Sequence, residues 1–147
     1  MNPTSAVTRP AAVAGMFYPA SPEALRASVR SFLEEAGAEE APAPKVLVVP
    51  HAGYVYSGST AARGYATLRR VAGQVRRVVL IGPAHRVAVR GVAIPSVDRF
   101  ETPLGTVELD RAALDALATA PNVIRSDRAH AAEHALEVQL PFLQEVL

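Results

Sequence analysis

Two short valine-rich runs constrain the fold of this 147-residue chain more than any other feature. The first is KVLVVP (45–50), the second is RRVVLIGP (76–83), and both are continuously apolar at their centres. Such runs are typical of strands that are buried on both faces of a parallel sheet. Small apolar residues at helical spacing, including Ala61 and Tyr65, lie between the runs. The sequence therefore predicts a strand–helix–strand unit with a right-handed crossover.

Further elements are predicted on both sides of this unit. Ser21 as N-cap, Pro22 at the first helical position and Gly37 as a stop predict a helix that runs to about Ala36. The other predictions are irregular chain at 1–21 and 38–44, a helix start at 57–60, a strand at 91–96, a hairpin at 99–110, a helix capped by Asp110, a strand at 122–127 and a helix from about 128 to 140. The expected fold class is α/β, with a mostly parallel central sheet flanked by helices.

Composition narrows the classes of function. Half of the residues are hydrophobic, which excludes a disordered chain, and the length fits a single domain. The formal net charge of +1 gives no electrostatic reason to expect nucleic acid or a membrane surface as a partner. Cysteine is absent, and the first residues match neither a signal peptide nor a membrane span, so we expect a cytoplasmic protein.

The last residues, LPFLQEVL (140–147), stop within an apolar helical pattern. In addition, only three or four strands are predicted, fewer than a doubly wound sheet usually contains. We therefore expect either a partner that covers this end or a chain that is the N-terminal half of a longer fold. The domain prediction is a single α/β domain over residues 1–147, with C-terminal truncation as one of these two alternatives.

A histidine follows each of the two valine-rich runs: His51 after the first and His85 after the second. Parallel strands end at the same edge of a sheet, about 5 Å apart, and open α/β folds bind their ligands at that edge. Two imidazoles placed there suit a shared Zn, Cu, Fe or Ni ion. The alternative is that each histidine is an isolated polar loop residue with a backbone partner.

Tyr54 and Tyr56 follow His51 in the segment HAGYVYSG. Because they alternate, we expect one of them to pack inward and the other to face the cleft as a hydrogen-bond donor. Both are predicted to be cleft-lining or core residues rather than catalytic ones.

The segment HAAEHALE places His130, Glu133, His134 and Glu137 on about one third of a helix circumference. Three interpretations are open. The residues form a solvated polar face with i,i+4 pairs, or they form a wall of the cleft of His51 and His85, or His-x-x-Glu-His is the inverted zincin pattern of a metalloprotease. The zincin pattern needs a third ligand farther along the chain, and this sequence ends before one.

Several motifs together resemble the Memo family, whose prokaryotic members are called AmmeMemoRadiSam system protein B. They are RPAAVAGMFYPA, VVPHAGYVYSG, LIGPAH, ETPLG and EHALEVQLPFLQ, in this order. The family is similar in fold to class III extradiol dioxygenases of the LigB type. The resemblance spans nearly the whole chain, although family members are about twice as long.

The resemblance implies that His51 and His85 are metal ligands for iron or copper, with dioxygenase-like redox chemistry as a consequence. It also implies that the third ligand belongs to the second half of the family fold, which has no counterpart here. His134 and Glu137 match a family motif and are expected to be cleft-lining or structural residues. Association with a radical-SAM protein and an AMME-type domain is implied by the system name.

Overall fold

The computed structural model describes residues 6–37, 42 and 44–147, so the predicted loop at 38–44 lies mostly outside the described residues. The helices are α1 (Pro22–Ala36), α2 (Tyr54–Ala66), α3 (Arg111–Leu117), α4 (Asp127–Ala131) and α5 (Leu140–Val146). The strands are β1 (Thr8–Arg9), β2 (Val92–Ile94), β3 (Arg99–Thr102), β4 (Gly105–Glu108) and β5 (Val123–Arg125). Two 3-10 helices lie at Arg69–Gln74 and Glu137–Gln139. None of the described helices is long and apolar enough to cross a bilayer.

The main core lies between α1, α2 and α5. Leu25, Val29 and Leu33 recur at helical spacing and are almost fully buried on one face of α1. A Cβ atom at Gly58 of α2 would lie only 2.5 Å from the ring of Phe32, so glycine is needed for the close approach of the two helices. As predicted, α1 is capped by Ser21, whose hydroxyl accepts a hydrogen bond from Ala24 N, and it ends before Gly37.

The strands form two small sheets. One has the order β1-β3-β4, with β1 parallel and β4 antiparallel to β3, and the other pairs β2 with β5 in parallel. The predicted strand at 91–96, the hairpin at 99–110, the helix capped by Asp110 and the strand at 122–127 are thus confirmed. The chain is α/β with mixed sheets, and a mostly parallel central sheet is not found among the described residues.

The prediction of two doubly buried strands at 45–50 and 76–83 is wrong for the described chain. Both segments run without strand pairing to any described residue. In the first, Leu47 and Val49 pack against the main core, whereas Val46 and Val48 face solvent, with Val48 96% exposed. In the second, Val78, Val79 and Ile81 are exposed, and Leu80 is partly buried against the smaller core of Val97, Phe100 and Leu140. Apolar composition alone therefore does not produce strand pairing.

Two helix boundaries also differ from the prediction. Helix α2 begins at Tyr54 instead of 57–60, because the hydroxyl of Ser57 donates to Ala52 O and does not cap the helix. The helix predicted from about 128 to 140 stops at Ala131, and Pro141 then lies in the first turn of the separate helix α5. The cause is Glu133, whose carboxylate accepts hydrogen bonds from the backbone N–H groups of His134 and Ala135 in place of the helical pattern.

Candidate metal centre

Three of the four histidines meet at one place. The ring centroids of His51 and His85 are 5.2 Å apart, those of His85 and His134 are 4.5 Å apart, and those of His51 and His134 are 5.8 Å apart. One nitrogen from each ring lies within 4.8 Å of the other two. Neutral imidazoles in such a group could hold a transition-metal ion.

Each histidine comes from a different segment. His51 ends the first extended segment directly before α2, and His85 follows the second extended segment. His134 lies in the turn between α4 and α5. Gly64 of α2 supports this arrangement, because a Cβ atom there would lie 2.6 Å from Val49 and would push away the segment that leads to His51.

Glu133 orients His85. Its carboxylate accepts a hydrogen bond from His85 N at 2.5 Å and lies 2.8 Å from His85 Nδ1. A carboxylate only accepts, so Nδ1 carries the proton and Nε2 keeps a free lone pair for an ion. Burial opposes ionisation of Glu133, but the hydrogen bonds from His85 and Ala135 outweigh it and lower the pKa of Glu133 to about 2.

His134 is suited to bind an ion as a neutral ring. Burial lowers its pKa, and His85 and His51 lower it further, while the Glu133 carboxylate opposes this shift. Its Nδ1 atom is buried, 3.4 Å from Glu133 Oε1, and makes no hydrogen bond with any described residue. A neutral His134 ring next to two further imidazoles is consistent with a site that is completed by a metal ion.

A buried ion pair holds the turn that carries Glu133 and His134. The Arg9 guanidinium pairs with the Glu137 carboxylate, and it also donates to His130 O at 3.0 Å and to Glu133 O at 2.7 Å. The Glu137 carboxylate accepts further hydrogen bonds from Ala12 N, Val13 N and the hydroxyl of Tyr18, the last at 2.5 Å. Glu137 is 0% exposed. Of the two roles expected for Glu137, cleft-lining or structural, these contacts fit the structural one, because all of them lie in the interior.

The predicted tyrosines have different surroundings. Tyr54 is buried, and its hydroxyl donates to Val138 O at 2.8 Å, so it belongs to the core and does not line the histidine cavity. Tyr56 lines a cavity together with His51 and His134. His130, the remaining histidine, lies outside the cluster, and its Nε2 donates to Ala93 O at 3.1 Å.

Sequence reasoning missed the third imidazole and the role of Glu133. The interpretation of HAAEHALE as a solvated face is wrong, since His130, Glu133 and Glu137 are all buried. The cleft-wall interpretation fits only His134, which joins His51 and His85. The sequence carries no local signal for the role of Glu133, because it contacts His85, 48 residues away. The helical spacing of residues 128–140 predicted a continuous helix instead.

A three-histidine cluster on an α/β scaffold defines a candidate metal-binding protein. A sequence model described as Memo-like protein matches residues 9–147. MEMO1 family proteins of Ignicoccus hospitalis and Aquifex aeolicus are 44% and 40% identical over 94% and 92% of this chain. The Protein memo-1 homolog of Caenorhabditis elegans is 38% identical over 95% of the chain. The chain therefore belongs to the Memo-like family, as the motifs predicted.

The chain spans about half the length of the curated relatives it matches. It covers 52% of the Ignicoccus protein, 49% of the Aquifex protein and 39% of the Caenorhabditis protein. Residues 9–147 of this chain, which the Memo-like model matches, contain all three histidines of the cluster.

Proposed function

We propose that the chain binds one iron or copper ion through His51, His85 and His134. The observation that carries this proposal is the convergence of three imidazoles from three separate segments, with ligand atoms within 4.8 Å of one another. Imidazole is a preferred ligand of both metals. The bound ion would supply redox chemistry or polarise a coordinated substrate.

The proposed reaction class is metal-dependent, dioxygenase-like redox chemistry on a small substrate. His51 and His134 also line a cavity, so a substrate in that cavity lies beside the proposed ion. Glu133 holds His85 in the orientation that leaves Nε2 for the metal. A LigB-like fold in the complete protein, a cytoplasmic location, and association with a radical-SAM protein and an AMME-type domain are part of the same proposal and rest on family membership.

Elemental analysis of the purified chain tests the metal proposal. We expect iron or copper near one ion per chain, and we expect His51→Ala and His85→Ala each to lose most of it, because each removes one of three ligands. His130→Gln is the matched control, since its amide can still donate to Ala93 O. Unchanged metal content in both alanine variants would refute the proposed site.

Glu133→Gln tests the orientation of His85. We expect the affinity for the ion to fall about 10–100-fold, the usual loss when a group that orients a ligand is removed. Competition with a chelator of known affinity measures the change. Glu101→Gln, at an exposed position on β3, should leave the affinity unchanged. Equal affinities in the two variants would show that Glu133 has no part in metal binding.

A second candidate function is a non-catalytic module that binds a peptide or a protein through the same cleft. The observation that favours it is a pair of exposed apolar side chains at the cleft: Met16 is 73% exposed and Tyr56 is 86% exposed. Exposed apolar patches often mark sites of association. Measuring metal content distinguishes the metal-binding function from the binding module, because a binding module requires neither the ion nor the imidazoles.

A further inference from the structure

Met16 places a thioether at the cavity beside the histidine cluster. The cavity has a volume of about 560 Å³, and Met16, His51 and His134 are among its lining residues. The Met16 side chain is 73% exposed. A small oxidant in solution can therefore reach both the thioether and the imidazoles.

A short turn fixes the backbone of Met16. Gly15 N donates to Tyr18 O at 2.7 Å, and Met16 N donates to Val13 O at 3.1 Å. The φ angle of Gly15 is +81°, a conformation that favours glycine, so the path of the turn depends on this residue. Met16 therefore has a defined position at the rim of the cavity.

The next residue, Phe17, joins this turn to two of the three segments that carry imidazoles. The centroid of its ring lies 4.4 Å from that of His134. Its carbonyl oxygen accepts a hydrogen bond from Tyr54 N at 2.8 Å, three residues after His51. Met16 is thus held beside His51 and His134 by its covalent neighbour.

The thioether is an easily oxidised group in this cavity. Peroxide converts methionine to methionine sulfoxide, and the chain contains no cysteine whose thiol would compete. Beyond the two imidazoles and the phenol of Tyr56, the other lining residues carry no readily oxidised group: Phe17, Pro50, Ala52 and Gly53.

We propose that Met16 is a modification site, at which the metal centre directs hydrogen peroxide to the thioether. The O–O bond of the peroxide breaks, one oxygen atom bonds to the sulfur of Met16, and the other leaves with both protons as water. The sulfur loses two electrons and the peroxide gains them. This inference rests on the proposed function, because an ion at the three imidazoles would supply the activation of the peroxide.

Oxidation of Met16 would change the wall of the cavity. A sulfoxide is polar where the thioether is apolar, and sulfoxide reductases reverse the change. Met16 also lines a second cavity, of about 290 Å³, together with Phe32 and Val55. One oxidised side chain therefore alters the walls of two cavities.

Peptide mass spectrometry after a brief exposure to hydrogen peroxide tests the inference. Protein loaded with iron or with copper, and freed of unbound ion, is compared with chelator-treated protein. Leu117→Met supplies a reference thioether in the same molecule, because Leu117 is 46% exposed on α3 and lies outside both cavities. His85→Ala removes a proposed ligand without changing the wall, since His85 is not a lining residue.

We expect the ion to speed sulfoxide formation at Met16 by at least about tenfold over chelator-treated protein, because the thioether is held beside the site where peroxide is activated. The rate at the reference thioether should not change. His85→Ala should return the rate at Met16 to that of the chelator-treated protein.

Metal content, measured on the same samples, separates the two kinds of failure. With a full complement of ion, an unchanged rate at Met16 would reject this inference and leave the metal proposal standing. The same holds for oxidation confined to the imidazoles, and for an equal increase at the reference thioether. Protein that retains no ion would reject the metal proposal, and this inference with it.

Discussion

Replacing Glu137 by alanine is expected to destabilise the fold by about 3–5 kcal/mol, the usual result when one partner of a buried ion pair is removed. The variant leaves the Arg9 guanidinium, which is only 5% exposed, without its carboxylate. It also leaves the N–H groups of Ala12 and Val13 and the hydroxyl of Tyr18 without an acceptor. Since domains are typically stable by 5–15 kcal/mol, this loss is a large fraction of the total.

Urea denaturation measures this effect as a lower midpoint of unfolding. The matched control is Glu108→Ala, which removes an exposed glutamate from its ion pair with Arg99 and should cost at most about 1 kcal/mol. Glu137→Gln keeps the size and one acceptor oxygen, so we expect an intermediate loss. Equal effects of the two alanine variants would contradict the assigned role of the buried pair.

Replacing His134 by alanine is expected to weaken metal binding by more than about 100-fold. Groups that only orient a ligand cost 10–100-fold when removed, and the loss of a ligand itself should exceed this range. The variant therefore tests whether the site has three histidine ligands or only the two, His51 and His85, that the sequence predicts. Titration of chelator-treated protein with Fe(II) or Cu(II), followed by competition with a chelator, gives the affinities.

The variant His130→Gln again serves as control, because His130 lies on the neighbouring helix α4 but outside the cluster. Urea denaturation of the metal-free proteins checks that His134→Ala folds. Retention of wild-type affinity in a folded His134→Ala protein would remove His134 from the proposed ligand set and would leave His51 and His85 in need of another partner.

Local sequence signals were sufficient to predict the helix ends that are determined by adjacent residues. Ser21 and Gly37 define both ends of α1, and Asp110 defines the start of α3, because caps act on adjacent N–H and C=O groups. The proximity of His51 and His85 also followed from their equivalent positions after two similar segments, although these segments do not pair as strands.

The remaining features depend on contacts that periodicity does not reveal. The helical pattern of residues 128–140 gave no sign that Glu133 would accept hydrogen bonds from its own turn, or that Arg9 would bind the carbonyl groups of that turn. His134 reaches the cluster only because the helix is broken there. The prediction of strands at the two valine-rich runs failed for a related reason. A strand forms only by hydrogen bonding to another strand, and apolar composition does not provide that partner.

The contacts of Arg9 have a consequence for the order of events in folding. Arg9 is 121 residues from His130 and 128 residues from Glu137, so most of the sequence lies between the two sides of this contact. Closing so long a loop costs entropy before any contact compensates for it, and such contacts form slowly. We therefore expect the turn that presents His134 to be completed only after these two distant segments have met, so the proposed ion would bind late in folding.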